Sequence, residues 1–253
     1  MKLEIHDRVA LVVGASRGIG FAIAETLAAE GAKVALAARG LDDLKSAADK
    51  IGHGASCHAA DVTDPAAALS LVDAVEKRWG AIDILVCNVG SGASVPPGKE
   101  TAAEWSRVMD INLFATTNTI EAARPLMSRG NGDRAIVCVS SICGLAALGA
   151  PVTYSAAKAA LNATVRGLSR PLAAEGIRIN AVAPGNILSA DGTWARKIAE
   201  NKSAVDEMLA REVPMRRLGK PEEIADVVAF LASPRAAFIT GTVIVADGGQ
   251  LRA

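Results

Sequence analysis

The sequence predicts an α/β protein built on a single doubly wound parallel sheet of about seven strands, with helices on both faces. Short apolar runs alternate along its 253 residues with longer segments of helical pattern. Several of these runs are apolar throughout, as strands are when both of their faces are covered. There is no internal repeat and no long linker. We therefore expect residues 1–253 to form one domain of Rossmann-like architecture.

Seven segments have the composition of strands, because each is short and mostly apolar. They are Arg8–Val13, Lys33–Ala38, Ser56–Ala60, Ile82–Cys87, Ala135–Ser140, Ile177–Val182 and Thr242–Ala246. Six segments between them have a helical pattern, near residues 18–30, 42–51, 66–79, 101–128, 152–174 and 221–232. The regular alternation of strand and helix predicts that the strands pair in parallel.

The segment Ser189–Arg217 breaks this alternation, because it is too long for an ordinary loop. Its apolar residues include Trp194, Met208, Leu209 and Met215. We expect residues 189–217 to form a lid over a substrate, with a plain surface excursion as the alternative.

The overall composition argues against several classes of function. Lys plus Arg and Asp plus Glu both number 27, so the chain has no net charge with which to attract nucleic acid or a membrane surface. Aromatic residues make up only 3% of the chain, which does not suit a stacking surface for single-stranded nucleic acid. No apolar stretch approaches the ~20 residues that a membrane span needs.

The N-terminal segment and the cysteines predict a cytoplasmic protein. The segment "MKLEIHDRVALVVG" carries acidic residues before a short apolar run, unlike a secretory signal peptide. The four cysteines, Cys57, Cys87, Cys138 and Cys143, form no C-x-x-C pair, and three lie in or beside apolar runs. We expect buried, reduced thiols and therefore a reducing compartment.

The segment Gly14–Gly20, "GASRGIG", has two incompatible interpretations. Its first five residues match G-x-S-x-G, the turn that exposes a nucleophilic serine in α/β-hydrolases. That chemistry needs a histidine late in the chain, whereas His6, His53 and His58 all lie in the first quarter. We therefore do not expect Ser16 to be a nucleophile.

The other interpretation is a loop that holds a pyrophosphate. Gly14, Gly18 and Gly20 lie between the first predicted strand and the first predicted helix, where glycine allows a sharp turn and a close approach of phosphate to the helix N-terminus. The spacing is G-x-x-x-G-x-G and not the usual dinucleotide pattern G-x-G-x-x-G, and the sequence contains no P-loop motif. The loop therefore favours a dinucleotide, although its spacing alone does not establish one.

Tyr154 and Lys158 are one turn apart in a predicted helix, so their side chains lie on the same face. A cation held nearby favours the phenolate and lowers the pKa of a tyrosine toward the working range of an acid–base group. Ser141 follows a predicted strand, at the edge of the sheet where α/β proteins bind ligands. The Tyr154–Lys158 spacing alone is weak evidence for acid–base chemistry, and the Ser141 hydroxyl has two interpretations, a donor to a substrate carbonyl or a cap of a helix or turn.

In combination, these motifs resemble the short-chain dehydrogenase/reductase family, in the compact branch that includes 3-oxoacyl-acyl-carrier-protein reductases. The resemblance extends from about Asp7 to Gly249. It implies an oxidoreductase that transfers a hydride between NADP(H) and a ketone or secondary alcohol, with a tyrosine as acid and base. The implied catalytic residues are Asn112, Ser141, Tyr154 and Lys158. The alternative is a non-catalytic NADP(H)-binding sensor on the same fold, but a sensor has no need of this proton relay.

The resemblance also implies the residues that bind the cofactor, and it implies no metal. They comprise the glycine loop, the "DVTD" segment at the adenine, the counterpart of the family's N-N-A-G segment, and the loop beside the nicotinamide. The full set is Gly14, Ser16, Arg17, Gly18, Ile19, Gly20, Arg39, Asp61, Val62, Asn88, Gly90, Tyr154, Lys158, Pro184, Gly185 and Ile187.

The predicted cofactor is NADP(H), with NAD(H) less favoured. A site that prefers NAD places Asp or Glu at the end of the second strand, to bind the ribose 2′-hydroxyl. Here that strand ends with Ala38 and Arg39, and the next acid, Asp42, lies in the following helix. Arg39 and Arg17 would then place two guanidinium groups around a 2′-phosphate.

Three positions depart from the family's pattern. Cys87 and Val89 replace the first Asn and the Ala of N-N-A-G, which changes the packing under the adenosine ribose and keeps Asn88. Pro171 lies inside the predicted helix 152–174, where it removes a backbone donor and is expected to bend or shorten the helix.

The expected partners are a small-molecule carbonyl or alcohol and further copies of the chain, with no nucleic acid and no membrane. The resemblance implies a homotetramer, with contacts through the predicted helices 101–128 and 152–174 and through helix 221–232 with the last strand. An acyl-carrier partner would need basic residues near the mouth of the site. Arg129 is a candidate for this, but Glu175 stands where a second basic residue is expected.

Overall fold

The computed structural model of the protein describes residues 2–130, 132–190 and 192–252. Within these ranges, seven strands form one sheet in the order β3-β2-β1-β4-β5-β6-β7, and all neighbouring strands are parallel. The strands are β1 Val9–Val13, β2 Lys33–Ala38, β3 Ser56–Ala59, β4 Ile84–Cys87, β5 Arg134–Val139, β6 Ile177–Pro184 and β7 Val243–Ala246. The predicted fold class is confirmed.

Helices connect the strands and cover the sheet. In the described part of the chain they are α1 Gly18–Ala29, α2 Leu41–Ile51, α3 Pro65–Trp79, α4 Ala102–Met109, α5 Ala115–Ser128, α6 Val152–Ala174, α7 Thr193–Glu212 and α8 Pro221–Ala232. A π-helical segment, Asp110–Phe114, joins α4 to α5, and a short 3-10 turn, Ile142–Gly144, follows β5. None of the described helices is long and apolar enough to cross a membrane.

Both faces of the sheet are buried, because the helices cover each face with a separate apolar layer. One layer joins Val12 of β1 to Ile23 of α1 and to residues of α2 and α8. The other joins Leu11 of β1 to Leu161 of α6 and to residues of α3 and α5. Successive residues of a strand point to opposite faces, so a strand covered on both faces is apolar at every position. This explains the unbroken apolar runs in the sequence.

The strand order determines where a ligand can bind. The chain passes outward from β1 to β2 and β3, and then crosses back to β4 on the other side of β1. The connections after β1 and β4 therefore run in opposite directions and leave a crevice above the carboxyl ends of these strands. The glycine loop follows β1, and Asn88 follows β4, so both lie at this crevice.

Three sequence-based expectations are corrected or refined by the structure. The predicted helix 101–128 is confirmed as a continuous helical run from Ala102 to Ser128, in which the π-helical segment widens one turn between α4 and α5. Of the two effects expected of Pro171, shortening of α6 is wrong, because the helix continues to Ala174, and bending stays a prediction. The segment 189–217, for which the sequence indicated no helix, contains α7.

Candidate active site

The glycine loop fits a dinucleotide because its tight turn leaves room only for glycine. Gly14 and Gly18 have positive φ angles of 81° and 58°. A Cβ on Gly20 would lie 2.1 Å from the carbonyl oxygen of Gly14, so the first turn of α1 packs directly on the loop. The Asn88 side chain donates to the same carbonyl oxygen over 2.9 Å. The loop therefore places the N-terminus of α1, with its free amides, where a pyrophosphate can approach.

Two exposed arginines lie at the same edge of the sheet. Arg17 occupies the N-cap position of α1 without a side-chain capping bond, next to Ser16, and Arg39 directly follows β2. Since β1 and β2 are neighbouring parallel strands, both residues lie beyond their carboxyl ends. Neither guanidinium has an ion-pair partner among the described residues. Ile19 packs against the apolar layer beneath the loop.

The turn expected at the adenine follows β3. The Asp61 carboxylate accepts hydrogen bonds from the amide and the hydroxyl of Thr63 over 3.2 and 2.7 Å, and Val62 is buried. The Asn118 side chain donates to the carbonyl oxygens of Val62 and Thr63, both over 3.1 Å. Asn118 thus holds the turn in place from α5, a contact that no motif in the sequence indicated.

Asn112 lies in the π-helical segment, with its side chain fully buried. Its amide nitrogen donates to the carbonyl oxygens of Ser91 and Val108, both over 3.0 Å, and its Oδ1 accepts from the Ser91 amide over 2.9 Å. Widened helical turns of this kind occur frequently at functional sites. Asn112 thereby holds the backbone at Ser91, in the segment that follows β4.

Gly90 lies where Asn112 and Lys158 come together. A Cβ on Gly90 would be 3.0 Å from Oδ1 of Asn112 and 3.1 Å from Nζ of Lys158. A larger residue would therefore push one of the two side chains away. The glycine allows the segment after β4 to pass directly over both groups.

The departures at positions 87 and 89 are accommodated by packing. Cys87 lies opposite Cys138 in the pairing of β4 with β5, and both are buried free thiols. Val89 packs against the apolar layer that contains α3, α5 and α6. Asn88, between them, keeps its hydrogen bond to the glycine loop.

Ser141, Tyr154 and Lys158 meet beyond the carboxyl end of β5. The Ser141 hydroxyl oxygen accepts a hydrogen bond from the Cys143 amide over 3.1 Å, which caps the 3-10 turn. Tyr154 lies in the first turn of α6, and Lys158 follows one turn later. The Lys158 Nζ lies 6.0 Å from the centroid of the Tyr154 ring and donates to the carbonyl oxygen of Val139 over 2.9 Å.

Burial shifts the pKa of both ionisable groups in this set. It raises the pKa of Tyr154, against a smaller lowering by a hydrogen bond with Ser141. It lowers the pKa of Lys158 to about 8. The expected lowering of the Tyr154 pKa by Lys158 is wrong for the chain alone, because burial of the phenol has the larger effect and the Lys158 ammonium group bonds to the Val139 carbonyl oxygen.

The loop after β6 closes the far side of the crevice. Pro184 is the last residue of β6. Gly185 cannot carry a side chain in this position, because a Cβ would lie 2.7 Å from the Cβ of Asp247. Ile187 pairs with Gly219 in an isolated parallel bridge, which attaches the loop to the start of α8.

Ser189 faces the glycine loop across the crevice, although no motif in the sequence indicated a site residue there. A Cβ on Gly18 would lie 3.7 Å from the Ser189 hydroxyl oxygen. The signal available in the sequence was only a hydroxyl residue two positions after Ile187.

Comparisons with known proteins agree with this arrangement. Residues 14–250 match the family model described as Enoyl-(Acyl carrier protein) reductase. The chain is 37% identical over 249 residues to the 3-oxoacyl-(acyl-carrier-protein) reductase FabG of Escherichia coli. The matched region covers 98% of this chain and 99% of that protein. The chain belongs to the short-chain dehydrogenase/reductase family.

Other members of the family have related activities. The chain is 40% identical over 246 residues to the cis-4-hydroxycyclohexanecarboxylate dehydrogenase of Sinomonas cyclohexanicum, covering 96% of each. The structure of L-sorbose reductase from Gluconobacter frateurii, complexed with NADPH and L-sorbose, matches with a TM-score of 0.93 at 31% identity and covers 100% of both chains. These names support a catalyst and give no support to the non-catalytic sensor.

This short-chain dehydrogenase/reductase is an oxidoreductase that transfers a hydride between NADP(H) and a ketone or secondary alcohol. The predicted family, reaction class and cofactor are confirmed. The structure brings the residues predicted from the motifs to one edge of the sheet, beyond the carboxyl ends of β1 to β6.

Proposed function

We propose that Tyr154 is the acid–base group of this enzyme, because it, Ser141 and Lys158 meet beside the crevice of the glycine loop. Reduction of a ketone adds a hydride to carbon and a proton to oxygen, and NADPH, when bound, supplies the hydride. The Tyr154 hydroxyl donates the proton to the carbonyl oxygen and accepts it in the reverse direction. The Ser141 hydroxyl donates to the same oxygen and orients it.

Lys158 and Asn112 act behind Tyr154 in this proposal. Their Nζ and Oδ1 atoms both approach Gly90, so the two side chains are neighbours. An ammonium group stabilises the phenolate that remains after proton transfer. Because burial lowers the pKa of Lys158 to about 8, the amine can exchange its proton readily near neutral pH. We assign Lys158 also to the nicotinamide ribose and Asn112 to the proton path toward solvent.

The remaining predicted residues would hold the cofactor. The loop of Gly14, Ser16, Gly18, Ile19 and Gly20 would hold the pyrophosphate at the N-terminus of α1. Arg17 and Arg39 would bind the 2′-phosphate, since both are exposed and unpaired among the described residues. Asp61 and Val62 would contact the adenine, Asn88 and Gly90 the adjoining ribose, and Pro184, Gly185 and Ile187 the nicotinamide.

We infer that the substrate is a small free carbonyl compound or alcohol. Arg129, the basic residue considered for an acyl-carrier partner, is paired with Glu76 over 3.0 Å, and Glu175, which stands where a second basic residue is expected, is paired with Arg124. They lie where α5 and α6 end, close to the amino ends of the strands that follow, whereas Tyr154 lies beyond the carboxyl ends. Within one chain, these charges are at the wrong edge of the sheet to guide a carrier to the site.

We propose a homotetramer held by two separate contacts. Phe238 is fully exposed, and Val245 projects from β7, the strand at the edge of the sheet. Phe114 and Val152 expose 45% and 44% of their surface beside α5 and at the start of α6. Apolar side chains at two distinct surfaces suit two different two-fold contacts.

We further propose that residues 189–217 are a lid carried by a single domain spanning residues 1–253. Val205, Leu209 and Val213 form a small apolar cluster of their own, with Trp194 and Met208 packed against it. This cluster is separate from the two layers that cover the sheet, so it can move as a unit. The free thiols suit a reducing compartment, and we propose the cytoplasm.

Replacing Tyr154 with Phe tests the proposed chemistry. Loss of the hydroxyl should lower kcat by about 100- to 10,000-fold, because proton transfer is removed, while the other cofactor-binding residues keep NADPH bound. The measurements are NADPH oxidation over a panel of reactive diketones and 3-oxo esters, and NADPH binding by fluorescence. Ser155→Ala, at the next position of α6, serves as the control. Near-wild-type turnover in Tyr154→Phe would contradict the assignment.

A further inference from the structure

Ser94 lies between β4 and α4, in the segment that follows Gly90. Its hydroxyl donates to the Glu104 carboxylate over 2.7 Å and lies 2.6 Å from the hydroxyl oxygen of Thr153. Because Ser94 gives its single proton to Glu104, the second bond runs from Thr153 to Ser94. The segment after β4 is therefore tied to both α4 and α6.

The contact of Ser94 with α4 is held in place by Glu104 and Arg107, which are bonded to each other. The Arg107 guanidinium donates to both carboxylate oxygens of Glu104, over 2.8 and 2.7 Å, and to the carbonyl oxygen of Ala93 over 2.9 Å. The bonds from Arg107 to the carboxylate have the largest effect on the pKa of Glu104, and the bond from Ser94 has the next largest. Together they lower this pKa to about 2. Glu104 is therefore an ionised acceptor throughout the neutral range.

Thr153 is the residue of α6 that the segment after β4 contacts through Ser94. It is fully buried and directly precedes Tyr154. As the second residue of α6, it has no helical carbonyl four positions back to accept its hydroxyl proton. Ser94 is its side-chain hydrogen-bond partner among the described residues. Removing the Ser94 hydroxyl would leave a buried donor without an acceptor.

The same segment is held at its other end by Asn112, which bonds to both backbone groups of Ser91. Just before it, Gly90 lies against Lys158. Residues 91–95 therefore run from the neighbourhood of Lys158 to the residue that precedes Tyr154. With Tyr154 as the proton donor, a segment on this course would form a wall beside the reacting carbonyl.

We propose that Ser94 is a positioning residue for the carbonyl substrate, which holds residues 91–95 as a fixed wall through its bonds to Thr153 and Glu104. The inference rests on the proposed role of Tyr154. Loss of the tie lets the wall move, while α6 keeps Tyr154 in place through its own packing. Binding then weakens equally in the ground state and the transition state, which raises KM and leaves kcat nearly unchanged.

The test compares Ser94→Ala, Thr153→Val and the double variant with the wild-type enzyme, using NADPH and the diketone or 3-oxo ester that it reduces fastest. Each single variant should raise KM by about tenfold, with kcat within about threefold. Since both remove the same bond, the double variant should be no worse than the poorer single variant. Thr153→Ser, which keeps the hydroxyl, should restore the wild-type KM.

Thr164→Val is the matched control, because its hydroxyl bonds only within α6, to the carbonyl oxygen of Ala160 over 2.9 Å. It should leave KM unchanged, and all variants should keep wild-type NADPH affinity by fluorescence and cooperative thermal unfolding. Unchanged KM in both Ser94→Ala and Thr153→Val, additive effects in the double variant, or a parallel loss of NADPH affinity would overturn the inference. An active Tyr154→Phe variant would instead overturn the proposed chemistry.

Discussion

Tyr154 is the single tyrosine of the chain, so its ionisation can be followed without interference from other phenols. Burial raises its pKa above the ordinary 10.0 in the cofactor-free chain. We expect the ultraviolet absorbance of tyrosinate to appear at higher pH in the folded protein than in guanidinium-unfolded protein, where it should titrate at about 10. A folded-state pKa at or below that of the unfolded chain would contradict the burial of this side chain.

The raised pKa of Tyr154 also makes the free energy of unfolding depend on pH. Above pH 10 the unfolded chain loses the phenol proton while the folded chain retains it, so Tyr154 makes the protein less stable as pH rises. Tyr154→Phe cannot ionise and removes this contribution. Urea unfolding below and above pH 10 should therefore show a smaller loss of stability in the variant than in the wild type.

Arg39 is the residue that the cofactor preference depends on most directly. It is exposed beyond β2 without an ion-pair partner among the described residues, so a 2′-phosphate meets no competing carboxylate there. Arg39→Ala should lower kcat/KM for NADPH by roughly tenfold, as expected for loss of one hydrogen bond to a charged group, and should change the value for NADH little.

The control for Arg39 is Lys50→Ala, which removes an exposed positive charge from the last turn of α2. Steady-state kinetics with both cofactors measure the effect. A wild-type enzyme that uses NADH as well as NADPH, or an Arg39→Ala variant that loses both activities equally, would show that Arg39 does not select the phosphate.

Among the elements, the π-helical segment is one that local sequence could not indicate. Residues on either side of it have helical pattern, and Asn112 disfavours a helix interior only weakly. The partner that explains Asn112 is Ser91, which lies 21 residues earlier in the chain. The widened turn thus depends on a loop that only the folded sheet brings alongside.

The helix α7 is divided at Asn201, whose backbone angles, φ −158° and ψ 89°, are not helical. The Asn201 Oδ1 accepts from the Ala204 amide over 3.0 Å, as a side chain does when it caps a helix. Residues 202–212 are therefore a second helix that begins at this cap and carries Val205 and Leu209 into the lid cluster.

Asn201→Ala should destabilise residues 202–212 by about 1 kcal/mol, the usual value of such a cap. Amide hydrogen exchange in this segment should be roughly fivefold faster, since 1.4 kcal/mol corresponds to tenfold. Ser203→Ala is the control, because its exposed hydroxyl makes only a long 3.4 Å contact with Glu207. Exchange equal to that of the wild type would show that Asn201 does not cap the helix.

The same method tests the proposed lid in the wild-type enzyme. Addition of NADP(H) together with a ketone should slow exchange in residues 189–217, because closure removes the segment from water. Protection that is indifferent to cofactor and substrate would contradict a lid and leave these residues as a surface excursion.

At the scale of the whole molecule, the fully exposed Phe238 is the strongest mark of assembly. It lies shortly before β7, whose outer edge has no neighbouring strand within the described sheet. Phe238→Asp should convert a tetramer into dimers, since it places a charge in one of the two proposed contacts and leaves the other intact. Sedimentation at micromolar concentration measures the change.

Leu69→Asp is the control for Phe238, because Leu69 is 53% exposed on α3, outside the proposed contacts. It should leave the sedimentation coefficient unchanged. A wild-type chain that sediments as a monomer would contradict the tetramer. A Phe238→Asp variant that remains tetrameric would show that Phe238 does not lie in a subunit contact.

Much of the fold followed from periodicity, because buried parallel strands and amphipathic helices have different repeats. The alternation of strands and helices predicted the parallel sheet, and the glycine loop after β1 predicted its crevice. The helix α7 was missed, since its mixed polar and apolar residues cover a small local cluster and not the sheet. A surface element of this kind has a weaker pattern than an element of the core.

The sequence by itself determined which groups are available at the site, because its glycine loop, arginines, tyrosine and lysine occur in an order that resembles one family, and that resemblance implied a dinucleotide and a proton donor. Only the tertiary structure decided how these groups are supported. The bonds from Asn118 to the adenine turn, from Asn112 to Ser91 and from Thr153 through Ser94 to Glu104 join segments that are far apart in the chain. Such contacts have no local signature, since each depends on the strand order that brings its partners together.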